Sequence, residues 1–95
     1  MVAYVVVQAE ISDWDRFKQY IKESPATIAQ YEGKYLARAG EMVTLEGDPY
    51  TKRMILIEFP SLEKAKAWYH SKEYQRIRSL RDGAATGALI AIEGC

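Results

Sequence analysis

The stretch that decides the fold is EFPSLEKAKAWYHSKEY, residues 58–74. Its first residues end an apolar run, MILIEF (54–59), which predicts a β-strand that stops at Pro60, because proline cannot donate to a sheet ladder. Ser61 offers a side-chain oxygen to the free amides of a new helix, whose apolar residues recur at helical spacing: Leu62, Ala65, Trp68 and Tyr69. Ser71 repeats this capping pattern. The sequence therefore predicts a helix that breaks near His70, followed by a second helix that ends at Asp82-Gly83.

The rest of the chain supplies three more strands and one more helix. Residues 2–9 and 87–93 (GALIAIE) are apolar runs that predict the first and last strands, and residues 34–38 predict the second, with a bulge at Gly40 and a resumption over residues 42–46. Ser12, with Asp15 three residues later, predicts the start of a helix. Pro25 predicts a kink or restart before that helix ends near Gly33.

Composition excludes several classes of protein. The 95 residues predict one domain, 1–95, and Lys plus Arg equals Asp plus Glu at 13 each, which argues against a nucleic-acid partner. The opening MVAYVVVQAE is too short and lacks the basic residues for a signal peptide or membrane span. The one cysteine, Cys95, excludes an internal disulfide framework. We therefore expect a cytoplasmic protein that does not bind membranes.

The order strand, helix, strand, strand, helix, strand predicts an α+β, ferredoxin-like βαββαβ fold with both helices on one face of a four-stranded antiparallel sheet. Right-handed crossovers place the first strand beside the third, with the second and fourth at the edges. Yet the first, third and fourth strands are apolar on both alternating sets of positions, and helices cover only one face. We therefore predict a homodimer in which two sheets pack face to face as a dimeric α/β barrel.

Several motifs, taken together, resemble one known family: EFPS (58–61), WY (68–69), S-x-EY (71–74), GAATG (83–87), YLARAG (35–40) and LEGD (45–48). Together, in their order along the chain, these motifs are similar to those of domain-of-unknown-function family 1330, of the dimeric α/β-barrel superfamily. The resemblance spans almost the whole chain and implies the same fold and dimer, but no established reaction. The wider superfamily includes cofactor-independent monooxygenases that act on aromatic polyketides, muconolactone isomerase, haem-degrading enzymes, chlorite dismutases and stress-induced proteins.

Glu58 is the main candidate for acid–base chemistry. Strand alternation puts it on one face with Met54 and Leu56, where it can meet Tyr4 on one neighbouring strand and Arg38 on the other if the registers agree. An Arg38–Glu58 pair can orient a general base or hold an anionic or enolic oxygen. The alternative is an ion pair that only specifies sheet register or the dimer interface.

The remaining candidates are aromatic or basic. Trp68, Tyr69 and Tyr74, with Trp14, can line a cleft for a flat substrate, although such stripes are more commonly core. The single histidine, His70, is the only imidazole available for proton transfer or haem ligation, or it is an exposed helix-end residue. Within a charged helix flank, only Arg78 belongs to the resembling motif and is a candidate for substrate binding. No metal-ligand spacing, P-loop or dinucleotide fingerprint is present, so no cofactor and no metal is predicted.

Two functions remain open at this point. The first is a cofactor-independent enzyme, monooxygenase- or isomerase-like, that acts on an aromatic or unsaturated substrate. The second is a non-catalytic homodimer that binds a small ligand or serves in stress responses. A pocket lined by Arg38, Glu58 and Tyr4 would favour the enzyme. A Glu58 side chain enclosed in a dimer interface with no cavity beside it would remove the argument for an enzyme.

Overall fold

A four-stranded antiparallel sheet, with strand order β2-β3-β1-β4, is the frame of the protein in the computed structural model, which describes residues 1–95. The strands are β1 (Ala3–Ile11), β2 (Lys34–Arg38), β3 (Arg53–Phe59) and β4 (Ala85–Glu93). The helices are α1 (Trp14–Gln30), α2 (Leu62–His70) and α3 (Lys72–Arg78), with a 3-10 turn at Ser79–Arg81. The predicted ferredoxin-like order and strand arrangement are confirmed. None of the helices has the length and apolar composition needed to cross a bilayer.

The joint between α2 and α3 is confirmed, with both predicted caps in place. The Ser61 hydroxyl accepts a hydrogen bond from the Lys64 amide at 3.1 Å, which satisfies a free donor at the start of α2. At the joint, the Ser71 hydroxyl accepts from the Tyr74 amide at 3.1 Å and donates to the Trp68 carbonyl at 2.7 Å. One serine therefore ends α2 and begins α3, and this fixes the angle at which Trp68 and Tyr74 enter the core.

The structure corrects the predicted start of α1 and excludes the restart, one of the two alternatives predicted at Pro25. The N-cap is Asp13 and not Ser12, because the Asp13 carboxylate accepts from the Arg16 amide at 3.2 Å, whereas the Ser12 hydroxyl donates to the Ala84 carbonyl at 3.1 Å. Helix α1 also continues through Pro25 without a restart. Phe17 and Ile28, one on each side of the proline, are both buried, and this packing outweighs the hydrogen bond that proline cannot donate.

The region after β2 also departs from prediction. Strand β2 covers residues 34–38 as expected, but residues 42–46 form no strand, and the segment between β2 and β3 has no regular structure apart from bends at residues 39, 46–48 and 52. The bulge lies between Tyr35 and Ala37 and not at Gly40. Ala39 takes a left-handed conformation, with φ of 52°, which turns the chain out of the strand at that point. The apolar Val43 and Leu45 in this segment are exposed.

The two faces of the sheet are covered very differently. On the helix face, Val5, Ile57 and Phe59 are buried under the helices with other core residues: Phe17, Ile28, Ala65, Trp68, Tyr74 and Ile77. We call the opposite surface the open sheet face; the strand registers place on it Tyr4, Val6, Gln8, Met54, Leu56, Glu58, Ala88, Ile90 and Ile92. None of these nine side chains is buried. Large apolar side chains are thus exposed on a whole face of the sheet, as the two-faced strand pattern predicts.

Candidate functional site

A cleft between α1 and the helix face of the sheet is the candidate site, and we call it the α1 cleft. Its cavity volume is about 30 Å³, within about 450 Å³ of space that is free of protein atoms and includes open solvent, and most of its wall is apolar or aromatic. The lining residues that matter below are Phe17, Tyr20, Tyr35, Arg38, Arg53 and Trp68. The cleft has a second hollow, with a cavity volume of about 20 Å³, which shares Phe17 and Tyr20 with the first and reaches β4 and Arg81. Tyr20 therefore stands where the two hollows meet.

Tyr20 belongs to a hydrogen-bonded pair of phenols. Its hydroxyl lies 2.7 Å from the hydroxyl of Tyr74, which is fully buried, and the guanidinium of Arg81 lies over the Tyr20 ring, 5.5 Å from its centroid. Burial, reinforced by Tyr74, raises the pKa of the Tyr20 phenol far above its ordinary value. Tyr20 is therefore a neutral hydrogen-bonding group across the physiological range and not a general base.

Two arginines stand at the end of the cleft formed by β2 and β3. The guanidinium of Arg38 lies over the Tyr35 ring at 4.5 Å, and that of Arg53 lies over the exposed Trp14 ring at 5.8 Å. The Nε atom of Arg53 is buried and has no hydrogen-bond partner in the protein. Burial, followed by repulsion from Arg38, lowers the pKa of Arg53. No carboxylate lines this end of the cleft.

The predicted Arg38–Glu58 pair is wrong. Glu58 lies opposite Tyr4 on one side and Lys34 on the other, and its carboxylate is 3.3 Å from the Lys34 ammonium. The register that places Lys34 opposite Glu58 keeps Arg38 several residues along the strand from Glu58, and the bulge after Tyr35 pairs Arg38 with Ile55 on the helix face. Glu58 and Tyr4 therefore lie on the open sheet face, outside the α1 cleft, and of the three proposed partners only Arg38 lines it.

The aromatic candidates divide between core and cleft. Trp68 and Tyr74 are fully buried, and Trp68 also forms part of the cleft wall while its indole N–H donates to the Thr27 hydroxyl at 3.1 Å. Tyr69 packs on Tyr74, with ring centroids 5.5 Å apart, and faces a different hollow. The alternative of a structural core therefore describes Tyr74, whereas Trp68 belongs to both core and site.

His70 and Arg78 do not join the cleft. His70 is exposed at the end of α2, edge-on to Tyr69 at 5.2 Å, and lines the separate hollow between α2 and β4. Arg78 is half-buried on α3, with an Nε atom that has no partner, and lines neither hollow of the cleft. Proton transfer or haem ligation by His70 and ligand binding by Arg78 stay predictions that the cleft geometry does not favour.

Sequence reasoning missed three residues of the site: Tyr20, Arg53 and Arg81. A signal existed for Tyr20, which follows Phe17 at helical spacing on the buried side of α1. Arg53 has the same strand parity as Ile55 and Ile57, which assigns it to the helix face. Arg81 lies in the last turn of the helix that the sequence predicts up to Asp82-Gly83; in the structure this turn is a 3-10 turn, which places the Arg81 guanidinium over the Tyr20 ring.

Solved structures with a similar fold come from several bacteria. A protein of unknown function from Rhodopseudomonas palustris, RPA0582, superimposes with a TM-score of 0.77 at 15% identity, covering 99% of this chain and 82% of that one. SnoaB, a cofactor-independent oxygenase from Streptomyces nogalater, gives 0.67 at 7% identity, with 99% and 93% covered. A dimeric protein of unknown function with a ferredoxin-like fold from Bacteroides fragilis gives 0.63 at 14%, with 98% and 96% covered.

These similarities are too distant to carry more than the fold. No functionally curated protein matches the sequence. The model of a domain of unknown function, DUF1330, by contrast matches residues 2–95. The resemblance found in the sequence motifs is thereby confirmed, and the chain belongs to the DUF1330 family.

Proposed function

We propose that the protein is a cofactor-independent enzyme that binds a flat, conjugated compound in the α1 cleft and oxidises it with molecular oxygen. The observation that carries the proposal is the cleft itself, where Tyr20, a neutral phenol hydrogen-bonded to the buried Tyr74, lies among aromatic side chains and next to Arg81. Clefts with mostly apolar walls and a few placed polar groups are typical of small-molecule sites. The fold shared with the Streptomyces nogalater oxygenase supports the reaction class.

The cleft can bind an anion but contains no side chain suited to removing a proton. Its ionisable groups are arginines and tyrosines, and neither a carboxylate nor an imidazole lines it. The substrate must therefore be acidic in its own right, such as a ketone whose neighbouring CH₂ group loses a proton to water. The Tyr20 hydroxyl and the Arg81 guanidinium would stabilise the resulting enolate oxygen.

The oxidation balances without another reactant. The carbanion carbon of the enolate transfers electrons to O₂ and forms a bond to one oxygen atom. The CH₂ group becomes a carbonyl, and the second oxygen atom leaves as water together with the two hydrogens. Aromatic walls favour this step because they exclude water and hold the conjugated rings flat.

Oxygen uptake with 1,8-dihydroxyanthrone, anthrone and 2-tetralone tests the proposal, with quinone formation from the two anthrones followed by absorbance. We expect the wild type to accelerate oxidation of at least one of these ketones, and Tyr20→Phe to lower that rate by about tenfold to a hundredfold. Tyr31→Phe is the matched control, because Tyr31 is half-buried, lines neither hollow of the cleft and makes no side-chain hydrogen bond. Uptake no faster than the protein-free rate for all three ketones contradicts the proposal.

The second candidate function is a non-catalytic binding protein for the same class of compound. The absence of any carboxylate or imidazole from the cleft wall favours it, since most enzymes use such a group for proton transfer. Calorimetric titration separates the two functions. Saturable binding of these ketones without oxygen uptake identifies a binding protein, whereas turnover that depends on Tyr20 identifies an enzyme.

We also infer a homodimer that forms through the open sheet face, in a cytoplasmic protein. This face exposes Ile90 and Ile92, at 55% and 58%, beside the half-buried Val6 and Leu56. A second copy packed there would bury on the order of 800 Å² per partner, the size of a stable interface. The dimeric Bacteroides fragilis protein with this fold supports the inference. Sedimentation at low micromolar concentration should give twice the 10.8 kDa chain mass, and a single 10.8 kDa species contradicts it.

A further inference from the structure

We propose that the ligand of the α1 cleft carries a carboxylate, and that Arg38 and Arg53 bind this group at the end of the cleft formed by β2 and β3. The inference rests on the proposed use of the cleft as a small-molecule site and adds the chemical class of the ligand. It does not depend on the reaction being an oxidation.

The bulge in β2 brings the two arginines to one surface. Arg38 pairs with Ile55, and Arg53 lies two residues away from Ile55 along the same strand. Strand spacing and rise place their Cα atoms about 8 Å apart, within the span of two arginine side chains that converge on one anion. Without the bulge, Arg38 would point to the open sheet face and the pair would not exist.

The charge of this pair is uncompensated within the protein. Each of the five ion pairs in the structure uses other basic residues, namely Lys18, Lys34, Lys52, Lys64 and Arg76. Arg38 and Arg53 contact aromatic rings instead, and the buried Nε of Arg53 has no acceptor. Arg38 is exposed, whereas Arg53 is half-buried and is repelled by Arg38. An anion between them would relieve this repulsion and give the buried Nε of Arg53 an acceptor.

The surroundings favour a carboxylate over a phosphate. A guanidinium presents parallel N–H groups that match the two oxygens of a carboxylate, and two arginines with aromatic stacking partners suit a planar group. Beyond the arginines the cleft offers aromatic and aliphatic walls, with Trp68 and Phe17 among them. A planar acid, with its ring among these side chains and its carboxylate between the arginines, is the ligand that these features match.

Calorimetric titration with three probes of the same ring size tests this inference: 2-naphthoate, its neutral analogue 2-naphthamide, and 2-naphthyl phosphate. We expect the wild type to bind 2-naphthoate at least tenfold tighter than 2-naphthamide. Arg38→Gln and Arg53→Gln should each weaken 2-naphthoate at least tenfold and leave 2-naphthamide within about twofold. Arg76→Gln is the matched control, since Arg76 lies on α3, outside the cleft, and pairs with Glu23; its affinities should equal those of the wild type.

Thermal unfolding of the same variants shows whether the arginines have a structural role instead. Because each substitution removes a repelling cation, we expect Arg38→Gln and Arg53→Gln to melt at or above the wild-type temperature. Variants that melt lower and bind 2-naphthoate as well as the wild type would show a structural role and overturn the inference.

The remaining outcomes separate this inference from the proposed function. Equal affinity for 2-naphthoate and 2-naphthamide overturns the inference that the ligand carries a carboxylate, but it leaves the cleft as a ligand site. Tenfold tighter binding of 2-naphthyl phosphate than of 2-naphthoate identifies a phosphate site and also overturns it. Oxidation of 1,8-dihydroxyanthrone without any binding of 2-naphthoate leaves the proposed function standing alone. If none of the three naphthyl probes binds and no ketone is oxidised, both proposals fail.

Discussion

The two faces of the sheet are similarly apolar, but the side chains of one are buried and those of the other are not. On β3, Ile57 and Phe59 are buried to 2% and 0% exposure, whereas their neighbours Leu56 and Glu58 on the other face are only half-buried. On β4, Ile90 and Ile92 remain more than half exposed. The helix face is therefore completed within one chain, whereas the open sheet face would be completed only by the proposed partner. The loss of unfolding free energy caused by a substitution on the helix face should therefore be independent of protein concentration. The loss caused by a substitution on the open sheet face should depend on it.

The largest effect is expected from Phe59→Ala on the helix face. Phe59 is fully buried and packs against Trp68, with ring centroids 5.3 Å apart, so its removal leaves a cavity that the core cannot close. We expect a loss of about 3–5 kcal/mol in the free energy of unfolding, measured by urea denaturation. Leu56→Ala, on the open sheet face of the same strand, is the comparison.

The concentration dependence of these two variants distinguishes the faces. The loss of unfolding free energy in Phe59→Ala, corrected for dimer linkage, should be the same at about 1 μM and 100 μM protein. Leu56→Ala should weaken dimerisation, so its loss should be larger at about 1 μM than at about 100 μM protein. Equal, concentration-independent losses for both variants would mean that the faces do not differ in the way proposed here.

Local rules in the sequence were enough to predict most of the frame. The strand ended by Pro60 and the two serine caps depend on neighbours within four residues, and each is found as predicted. The homodimer follows from the two-faced apolar strands and stays a prediction. The cap of α1 lies one residue later than the sequence predicts, because the Ser12 hydroxyl donates to the Ala84 carbonyl, more than seventy residues away. Contacts at such a distance leave no signal in the local pattern.

The candidate site was harder to predict because it depends on register. A shift of one residue moves a strand side chain to the other face, and the bulge at Tyr35–Ala37 does this to Arg38. The predicted partner Glu58 lies on the open sheet face with Lys34, because the register before the bulge pairs these two residues. The aromatic character of the site was partly foreseen through Trp68, whereas Tyr20 and Arg53 enter it only through tertiary packing.

A middle-sized effect is expected when a charge is placed on the open sheet face. Ile90→Asp should dissociate the dimer, raising its dissociation constant by about a hundredfold, because an unpaired carboxylate would be buried in the interface. Sedimentation equilibrium across a dilution series measures this. Ala67→Asp, which adds the same charge at an exposed position on α2, is the control and should sediment like the wild type. Dimers of undiminished affinity in Ile90→Asp would place the interface elsewhere.

The smallest effect is expected from Lys34→Gln, which removes the ion pair with Glu58 at the edge of the open sheet face. The Lys34 side chain is 68% exposed, so solvent screens the attraction, and the pair should contribute no more than about 1 kcal/mol to stability. Chemical denaturation of the wild type and the variant in low and high salt measures this, and the difference should shrink as salt rises. A loss of several kcal/mol that persists in high salt would instead show that the pair is enclosed between two subunits, where a remaining Glu58 carboxylate has no partner. Because Glu58 is already less exposed than Lys34, at 23% against 68%, the carboxylate is the member of the pair that an approaching second sheet would bury first.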